Sequence, residues 1–588
     1  MSFYIDTTFQ KAIGHHQNGE LQDAERLYRV ILQEQPNHAE TNHNLGILAV
    51  QVGQIVAALP HLRMALEASP HVHQHWMSFV DTLIRVGQPD TAQKVLIQGL
   101  QQGLPDYVNA HYNLGITFYE QRRYSDAIAS YHRALEIEPE HVKTLNNLGE
   151  ALSALGASDE AIACFEKALE NKPDYLNAYH NLLLRMQYSI LPTQREVFAR
   201  HTGFAETFEA PLKASWHCPS NTRTFDKRLK IGYVSADFRN HAVATFIEPV
   251  LANHDKSAFE IFCYFNDSRQ DKVTERIQIY VDHWFCCLGI SDEELAERIR
   301  SDGIDILIDL SGHTAGNRLL TFAHKPAPVQ LTYLGYPGTT GLSAMDYRIT
   351  DLYADPHGSE QYYSEKLLRL PNSLCCFRPV IDMPEIMPLP ALVNEFITFG
   401  SFNNSSKIDQ STISLWTEIL IALPSSRLLM TTTPEGERRE SIAKKFEDAG
   451  VARNRITFRE TVPSHEFHQL FQLADIALDP LLITGGTTTC ESLWMGVPVI
   501  VLVGQRFIHR VGYSFLSSAG LSHFGALTKE EYVRIALETA ADIPRLAKLR
   551  DSMRAQITAS PLMDQARFTC HFEKALRDAW KNWCNTTN

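Results

Sequence analysis

Residues 483–498 read ITGGTTTCESLWMGVP. Two glycines and three threonines run into a segment of helical pattern, with short apolar runs on both sides, Ile476-ALD before and Val497-PVIVLV after. Strand, small polar turn, helix and strand in that order make a β-α-β unit, which requires a parallel sheet with the turn beyond the carboxyl end of its first strand. The rest of the second half follows the same grammar. Further candidate strands are Leu229-KIGYVS, Phe259-EIFCYF, Ile304-DILIDL, Val329-QLTYLG, Phe396-ITFGSF, Arg427-LLMTT and Arg455-ITF, and candidate helices span 291–303, 409–423, 436–450 and 487–496. The stretch from Asp355 to Pro390, rich in proline and polar residues, divides this half in two. Two doubly wound domains facing each other across a cleft are the expected arrangement.

The first half obeys a different rule. Prolines recur at 36, 70, 105, 139 and 173, Asn-Leu-Gly at 44–46, 113–115 and 147–149, and Ala-Leu-Glu at 65–67, 134–136 and 168–170. A period near 34 residues with two amphipathic helices per unit is the signature of the tetratricopeptide repeat, here over about residues 7–189. The small Gly lets the first helix of a unit approach the second, and Pro ends the second. In the third unit Phe79-Val-Asp replaces Asn-Leu-Gly, and Pro60 falls inside the second helix of the second unit. Such arrays stack into a superhelix that binds extended peptides or partner proteins, the alternative being a purely structural or self-associating array. The expected division is a repeat region over 1–189 with a capping helix, a helical connector over 190–227, a first lobe over 228–385 and a second over 386–588 ending in a helix.

Composition narrows the function. A net charge of −14 argues against broad phosphate-backbone binding and so against nucleic acid as a partner, while leaving room for a local phosphate pocket. No apolar run reaches the length of a membrane-spanning helix and the N-terminus lacks the order of a signal peptide, so a cytoplasmic protein without a membrane partner is expected. Ten cysteines with no C-x-x-C suit reduced, buried thiols. There is no G-x-G-x-x-G after a strand, no G-x-x-x-x-G-K-[ST], no D-x-D and no ligand set of metal spacing, so dinucleotide, P-loop and metal-centred chemistries lose support.

What remains is an anion site. The turn at 485–489 opens a helix, whose dipole and free N–H groups favour phosphate. Gly485 and Gly486 permit close approach, Thr487, Thr488 and Thr489 add hydroxyls and an N-cap, and Glu491, placed in the first turn, could accept from ribose hydroxyls. The competing reading is a capped helix with a dipole-compensating acid. GSFNNSSKID (400–409) also follows a strand and precedes a helix, offering Asn403, Asn404 and a lone Lys407 able to neutralise a leaving diphosphate, or else merely solvated. His241, His313 and the segment Leu334-Gly335-Tyr336-Pro337 emerge at strand ends of the first lobe, the histidines as candidates for acceptor positioning or proton handling or as packed residues.

The repeats followed by DFRNHAVATF, DLSGHTAGNR, PAPVQLTYLGYPGTTGLSAMDYRITD, FGSFNNSSKID and GGTTTCESLWMGVP resemble the O-linked N-acetylglucosamine transferase and SPINDLY group, glycosyltransferase family 41, over nearly the whole chain. The resemblance implies a GT-B fold with the nucleotide sugar held mainly by the second lobe, and inverting, metal-independent transfer to Ser or Thr of proteins with no cofactor. It places Lys407 and Asn404 on the distal phosphate, the amides of Gly486 to Thr489 on the diphosphate, Glu491 on the ribose, Leu334 to Pro337 in the sugar pocket and His241 beside the acceptor. Animal-type members carry His, Asp and Tyr where this chain has Gly486, Glu491 and His313. At each of these positions the chain sides with the SPINDLY branch, whose plant members resemble GDP-fucose-dependent O-fucosyltransferases. A base-stacking His of the family falls near Phe467, with His465 and His468 close by. UDP-GlcNAc is the first-choice donor and GDP-fucose the second. A non-catalytic repeat scaffold that binds nucleotide sugar, and an enzyme acting on a small acceptor, are the competing functions. Short arrays of this kind can pair through a convex face, so a homodimer is the oligomer to test for.

Overall fold

A computed structural model describes residues 2–102, 107–380 and 383–586. Pro105 of the repeat period, and Ile381 and Asp382 of the stretch that divides the second half, lie outside the described residues. The chain forms two compact units, residues 1–172 and 173–588.

In the first unit the described residues form five helix pairs, from Ser2–Gln17 with Leu21–Glu34 to Val142–Ala154 with Ser158–Asn171. The expected glycine logic holds. A Cβ on Gly46 would meet the Leu62 side chain at 2.6 Å, on Gly115 the Tyr131 ring at 2.3 Å, and on Gly149 the Phe165 ring at 2.5 Å. Small on one helix therefore faces large on its partner, and Ala65, Ala134 and Ala168 are wholly buried. Pro60 sits within an uninterrupted helix, Ile55–Ala68. The carbonyl it deprives of a partner is that of Val56, which is exposed, so water can satisfy it.

The second unit contains two all-parallel sheets. The first has strands β1 (Leu229–Ser235), β2 (Phe259–Phe265), β3 (His283–Cys286), β4 (Ile306–Asp309), β5 (Val329–Thr332), β6 (Tyr347–Asp351) and β7 (Lys366–Leu370), in the order β3-β2-β1-β4-β5-β6-β7. The second has β8 (Thr398–Ser401), β9 (Arg427–Met430), β10 (Ile456–Phe458), β11 (Ile476–Leu478), β12 (Val499–Leu502) and β13 (Gly525–Ala526), in the order β10-β9-β8-β11-β12-β13. All nine expected strands are present. The expectation missed β3, β6, β7 and β13; β7 lies within Asp355–Pro390, which is therefore not merely a divider. Buried apolar side chains from both sheets form one continuous core, in which Phe246 stacks on Phe515 at 5.6 Å.

Two helices, Leu176–Gln187 and Gln194–Phe208, precede β1, the second started by a capping box between Thr193 and Glu196. The helix Leu176–Gln187, expected to cap the repeats, counts with the second unit. The last helix, Gln565–Asn585, returns to the first sheet, packing on β5, β7 and the helix Ala242–Asn253, with Glu573 accepting from His254 Nδ1 at 2.9 Å.

In both sheets the strand order reverses once, between β1 and β4 and between β8 and β11. At such switch points the following loops part in opposite directions and leave a crevice for ligand. Each candidate segment except Leu334–Pro337, which follows β5, leaves one of these four strands.

Candidate functional site

The second switch point is built around Asp479, the residue after β11, which is 2% exposed. Its Oδ1 accepts from Asn403 Nδ2 at 2.8 Å and from the Gly485 N–H at 3.0 Å, and its Oδ2 accepts from the same N–H at 2.7 Å. Asn403 Oδ1 in turn accepts from Lys407 Nζ at 3.1 Å and from the Thr488 hydroxyl at 3.4 Å. Asn403, Lys407, Gly485 and Thr488 are thus brought into one network. Among the described residues no carboxylate lies within ion-pair distance of Lys407. Burial lowers its pKa, with Asp479 acting the other way. A half-buried ammonium given no anion of its own suits one that arrives.

The helix Thr487–Trp494 begins next to this network. Gly486 is its N-cap and supplies no side chain, so the threonines do not cap it as expected. The hydroxyls of Thr487 and Thr489 are buried without a hydrogen-bond partner among the described residues. Unsatisfied buried donors at a helix N-terminus are costly unless a ligand completes them, and phosphate oxygens are the acceptors this geometry suits. A Cβ on Gly485 would lie 2.4 Å from Thr489 Oγ1 and 3.1 Å from Asp479 Oδ1, whereas one on Gly486 would meet nothing within 4 Å. Gly485 is small to permit packing; Gly486 borders open space.

Three expectations change. The helix Gln410–Ala422 is not a second anion-binding start, because Asp409 fills its first N–H groups through Ser411 and Thr412. Lys407 lies before it, in the short 3-10 turn Ser405–Lys407, and the exposed Asn404 caps that turn by accepting from Ser406 N at 2.9 Å. Glu491 lies past the first turn of its helix and accepts from His468 Nε2 at 3.1 Å, with both side chains largely buried. Phe467, beside His468, packs edge-on against Phe471 at 5.3 Å.

At the first switch point His241 follows β1 and caps the helix Ala242–Asn253, its Nδ1 accepting from Val243 N at 3.3 Å. Asp237 Oδ2 lies 3.5 Å from the same nitrogen, and the ring is 40% exposed. Burial lowers its pKa, Asp237 opposes this, and Arg239 and Arg269 add to it, so the ring is neutral at pH 7. With Nδ1 accepting, the outer Nε2 carries the proton.

His313, after β4, is 1% exposed. Its Nε2 donates to Thr340 O at 2.8 Å, so its Nδ1 accepts from His180 Nδ1 at 2.9 Å. His201 donates from Nδ1 to Val197 O at 2.6 Å and accepts from the Tyr336 hydroxyl at 2.7 Å. Burial pushes His180 and His201 down to about 4 and His313 well below its usual value. His313 therefore sits in a neutral, buried cluster with the two preceding helices, and this geometry suits packing and not proton transfer. The Tyr336 ring is likewise buried, while Leu334 and Pro337 are half-buried. Leu334 takes a left-handed φ of 74°, and a Cβ on Gly335 would lie 1.9 Å from Leu310 O.

Sequence reasoning missed Asp479, His180 and His201, and took His468 only as a neighbour of Phe467, without its bond to Glu491. Asp479 carried a usable signal as the acid ending a strand just before the Gly-Gly turn; the histidines carried none. Among the described residues no group of three His, Cys, Asp or Glu side chains is placed to hold a metal ion, and no helix is long and apolar enough to cross a membrane.

Two parallel sheets, each reversing its strand order once, and a lysine beside an open helix start define a two-lobed protein of the α/β class. Comparison with known proteins makes the class specific. The profile of glycosyl transferase family 41 matches residues 171–377 and 388–572, and a tetratricopeptide repeat profile matches 106–174. The chain belongs to glycosyl transferase family 41. It is 39% identical over 414 residues to the tomato (Solanum lycopersicum) protein named probable UDP-N-acetylglucosamine–peptide N-acetylglucosaminyltransferase SPINDLY, covering 69% of this chain and 44% of that one. With the Arabidopsis thaliana relative of that name ending in SEC it shares 34% over 375 residues, 61% of this chain and 38% of that one. The chain thus spans less than half the length of these relatives. A solved structure of a variant of the Thermobaculum terrenum O-GlcNAc transferase aligns over 99% of this chain and 98% of that one, with a TM-score of 0.74 at 31% identity.

Proposed function

We propose that this chain is a protein O-glycosyltransferase moving a sugar from a nucleoside-diphosphate donor to Ser or Thr hydroxyls of polypeptides, with inversion and without a metal ion. The observation that carries the reading is Lys407, held by Asn403 and, among the described residues, with no carboxylate partner and next to a helix start that has no side-chain cap and two unpartnered hydroxyls. The acceptor oxygen bonds to the anomeric carbon and releases its proton to solvent as the bond from that carbon to the diphosphate oxygen breaks. The electron pair and growing charge pass to the diphosphate, where Lys407, the Thr487 and Thr489 hydroxyls and the helix N–H groups stabilise it. His241, with its proton on Nε2, orients the acceptor hydroxyl by donating to it. Glu491, steadied by His468, takes the ribose, and the backbone of Leu334–Pro337 shapes the sugar site. The repeats bind the polypeptide acceptor.

UDP-GlcNAc is the first-choice donor, in line with the relatives' names, and GDP-fucose the second. Calorimetric titration of each into the purified chain, with EDTA present, decides between them. Binding of neither would favour a non-catalytic scaffold. Lys407→Ala is expected to lower kcat roughly a hundredfold or more while changing donor affinity severalfold at most, since the residue acts mainly on charge that develops during transfer. Equal losses in kcat and affinity would contradict that role.

A further inference from the structure

We infer that Asp479 is a positioning residue for the diphosphate site: through one carboxylate it orients the amide that holds Lys407 and fixes the turn that opens the phosphate-facing helix. The inference rests on the function proposed above and extends it to a residue with no contact to the ligand.

The argument starts from hydrogen-bond polarity. A side-chain amide can turn either end toward a neighbour, and its partners decide which. An ionised carboxylate only accepts, so Asp479 draws the Nδ2 end of Asn403 to itself at 2.8 Å. The oxygen end must then face Lys407 Nζ and the Thr488 hydroxyl, both donors, at 3.1 and 3.4 Å. A neutral amide at 479 would remove this constraint. Asn403 could turn over and present N–H groups to an ammonium, and Lys407 would lose its only hydrogen bond to a side chain among the described residues.

The same carboxylate holds the other arm. Both of its oxygens accept from Gly485 N, fixing the turn before the N-cap at Gly486. Space around it is tight: a Cβ on Gly485 would lie 3.1 Å from Oδ1, and one on Gly512 3.1 Å from Oδ2. One buried acid thus sets the register of two loops, after β8 and after β11, which meet at the switch point. Supporting groups of this kind are costly to remove for function although they touch no substrate.

Stability points the other way. Burial pushes the Asp479 carboxyl up to about 6, against the pull of Gly485, Lys407 and Asn403. A folded-state pKa above the unfolded value means that the ionised form is disfavoured by folding, so at pH 7 the charge lowers stability. A residue kept for folding would not carry that penalty; a residue kept for positioning can.

The test is a double-mutant cycle in the full chain with Asp479→Asn, Lys407→Ala and the double variant, titrating UDP and GDP by calorimetry and recording Tm. The nucleoside diphosphate stands for the leaving group with its full charge. For whichever one the wild type binds, we expect Asp479→Asn to weaken binding roughly tenfold, with the double variant no weaker than Lys407→Ala alone. The Tm of Asp479→Asn should equal or exceed that of the wild type. A parallel cycle with Asn403→Ala covers the case in which Lys407→Ala leaves no measurable binding. Unchanged binding in Asp479→Asn, losses that multiply in both cycles, or a fall in Tm that accounts for the lost binding would each overturn the inference. If the wild type binds neither UDP nor GDP, the proposed function itself fails and takes this inference with it.

Discussion

His241 shows how much of the chemistry is set at the level of one side chain. As the N-cap of Ala242–Asn253 it commits its Nδ1 lone pair to Val243 N, so the ring works in one tautomer and only when neutral. Its pKa is lowered by burial, so protonation occurs below the ordinary histidine range. As pH falls below the ordinary histidine range the ring charges, the cap is lost, and kcat/KM is expected to decline; above pH 7 this group should leave the profile flat. His241→Asn is the informative variant, because Asn also caps helices but does not titrate. Its turnover should be reduced at every pH with the acidic limb gone, and a surviving limb would assign that titration to another group.

Elements carry the next layer. The loop after β5 is locked from several sides: Gly335 against Leu310 O, Gly341 against His201 O, Gly338 against the Gln187 side chain, and Tyr336 bonded to His201. Gly335→Ala places a methyl where a backbone oxygen already sits, and urea unfolding should show a loss of about 1–3 kcal/mol or more. The histidine cluster that backs this loop makes it acid-sensitive. For His180 and His201 the folded pKa of about 4 lies below the unfolded value near 6.5. The unfolded chain therefore binds more protons between these values. Stability is complete above pH 6.5 and lost as pH falls toward 4, by on the order of 3 kcal/mol per ring. Urea midpoints measured from pH 7.5 to 4.5 should follow this slope, and His201→Phe should flatten it.

At the scale of the whole second unit, the two helices before β1 brace both sheets. Toward the first sheet, Glu209 accepts from Ser343 N at 3.0 Å and Ala344 N at 2.6 Å. Toward the second, Arg506, after β12 and 8% exposed, donates to Met186 O and Ser189 O, each at 2.9 Å, and to Pro192 O. Its guanidinium is desolvated and its bonds go to the turn between the helices, so Arg506→Met should destabilise the protein by about 3 kcal/mol, leaving buried carbonyls without donors. Limited proteolysis should then cut first near Ile190–Thr193. Unchanged resistance there would show that the brace does not depend on this arginine.

Period and patterning alone determined the repeat array and the parallel, doubly wound character of the second half. Both rest on local spacing: glycine must face a large residue one helix away, and an apolar run must alternate with a helix to build a covered sheet. The same logic placed Lys407 and the Gly-Gly turn at strand ends. The strands it missed are short, as with Gly525–Ala526, or set in polar surroundings, as with Lys366–Leu370, and are made by pairing with a neighbour and not by their own pattern. Only the tertiary structure separated His241 from His313, since both follow strands and differ only in what packs over them. Only it joined Asp479 to Asn403, which stand far apart in the chain and meet where two strands of one sheet are neighbours. Hydrogen-bond polarity and burial are properties of the folded surroundings, and so a residue's role was decided there even where its identity could be read in advance.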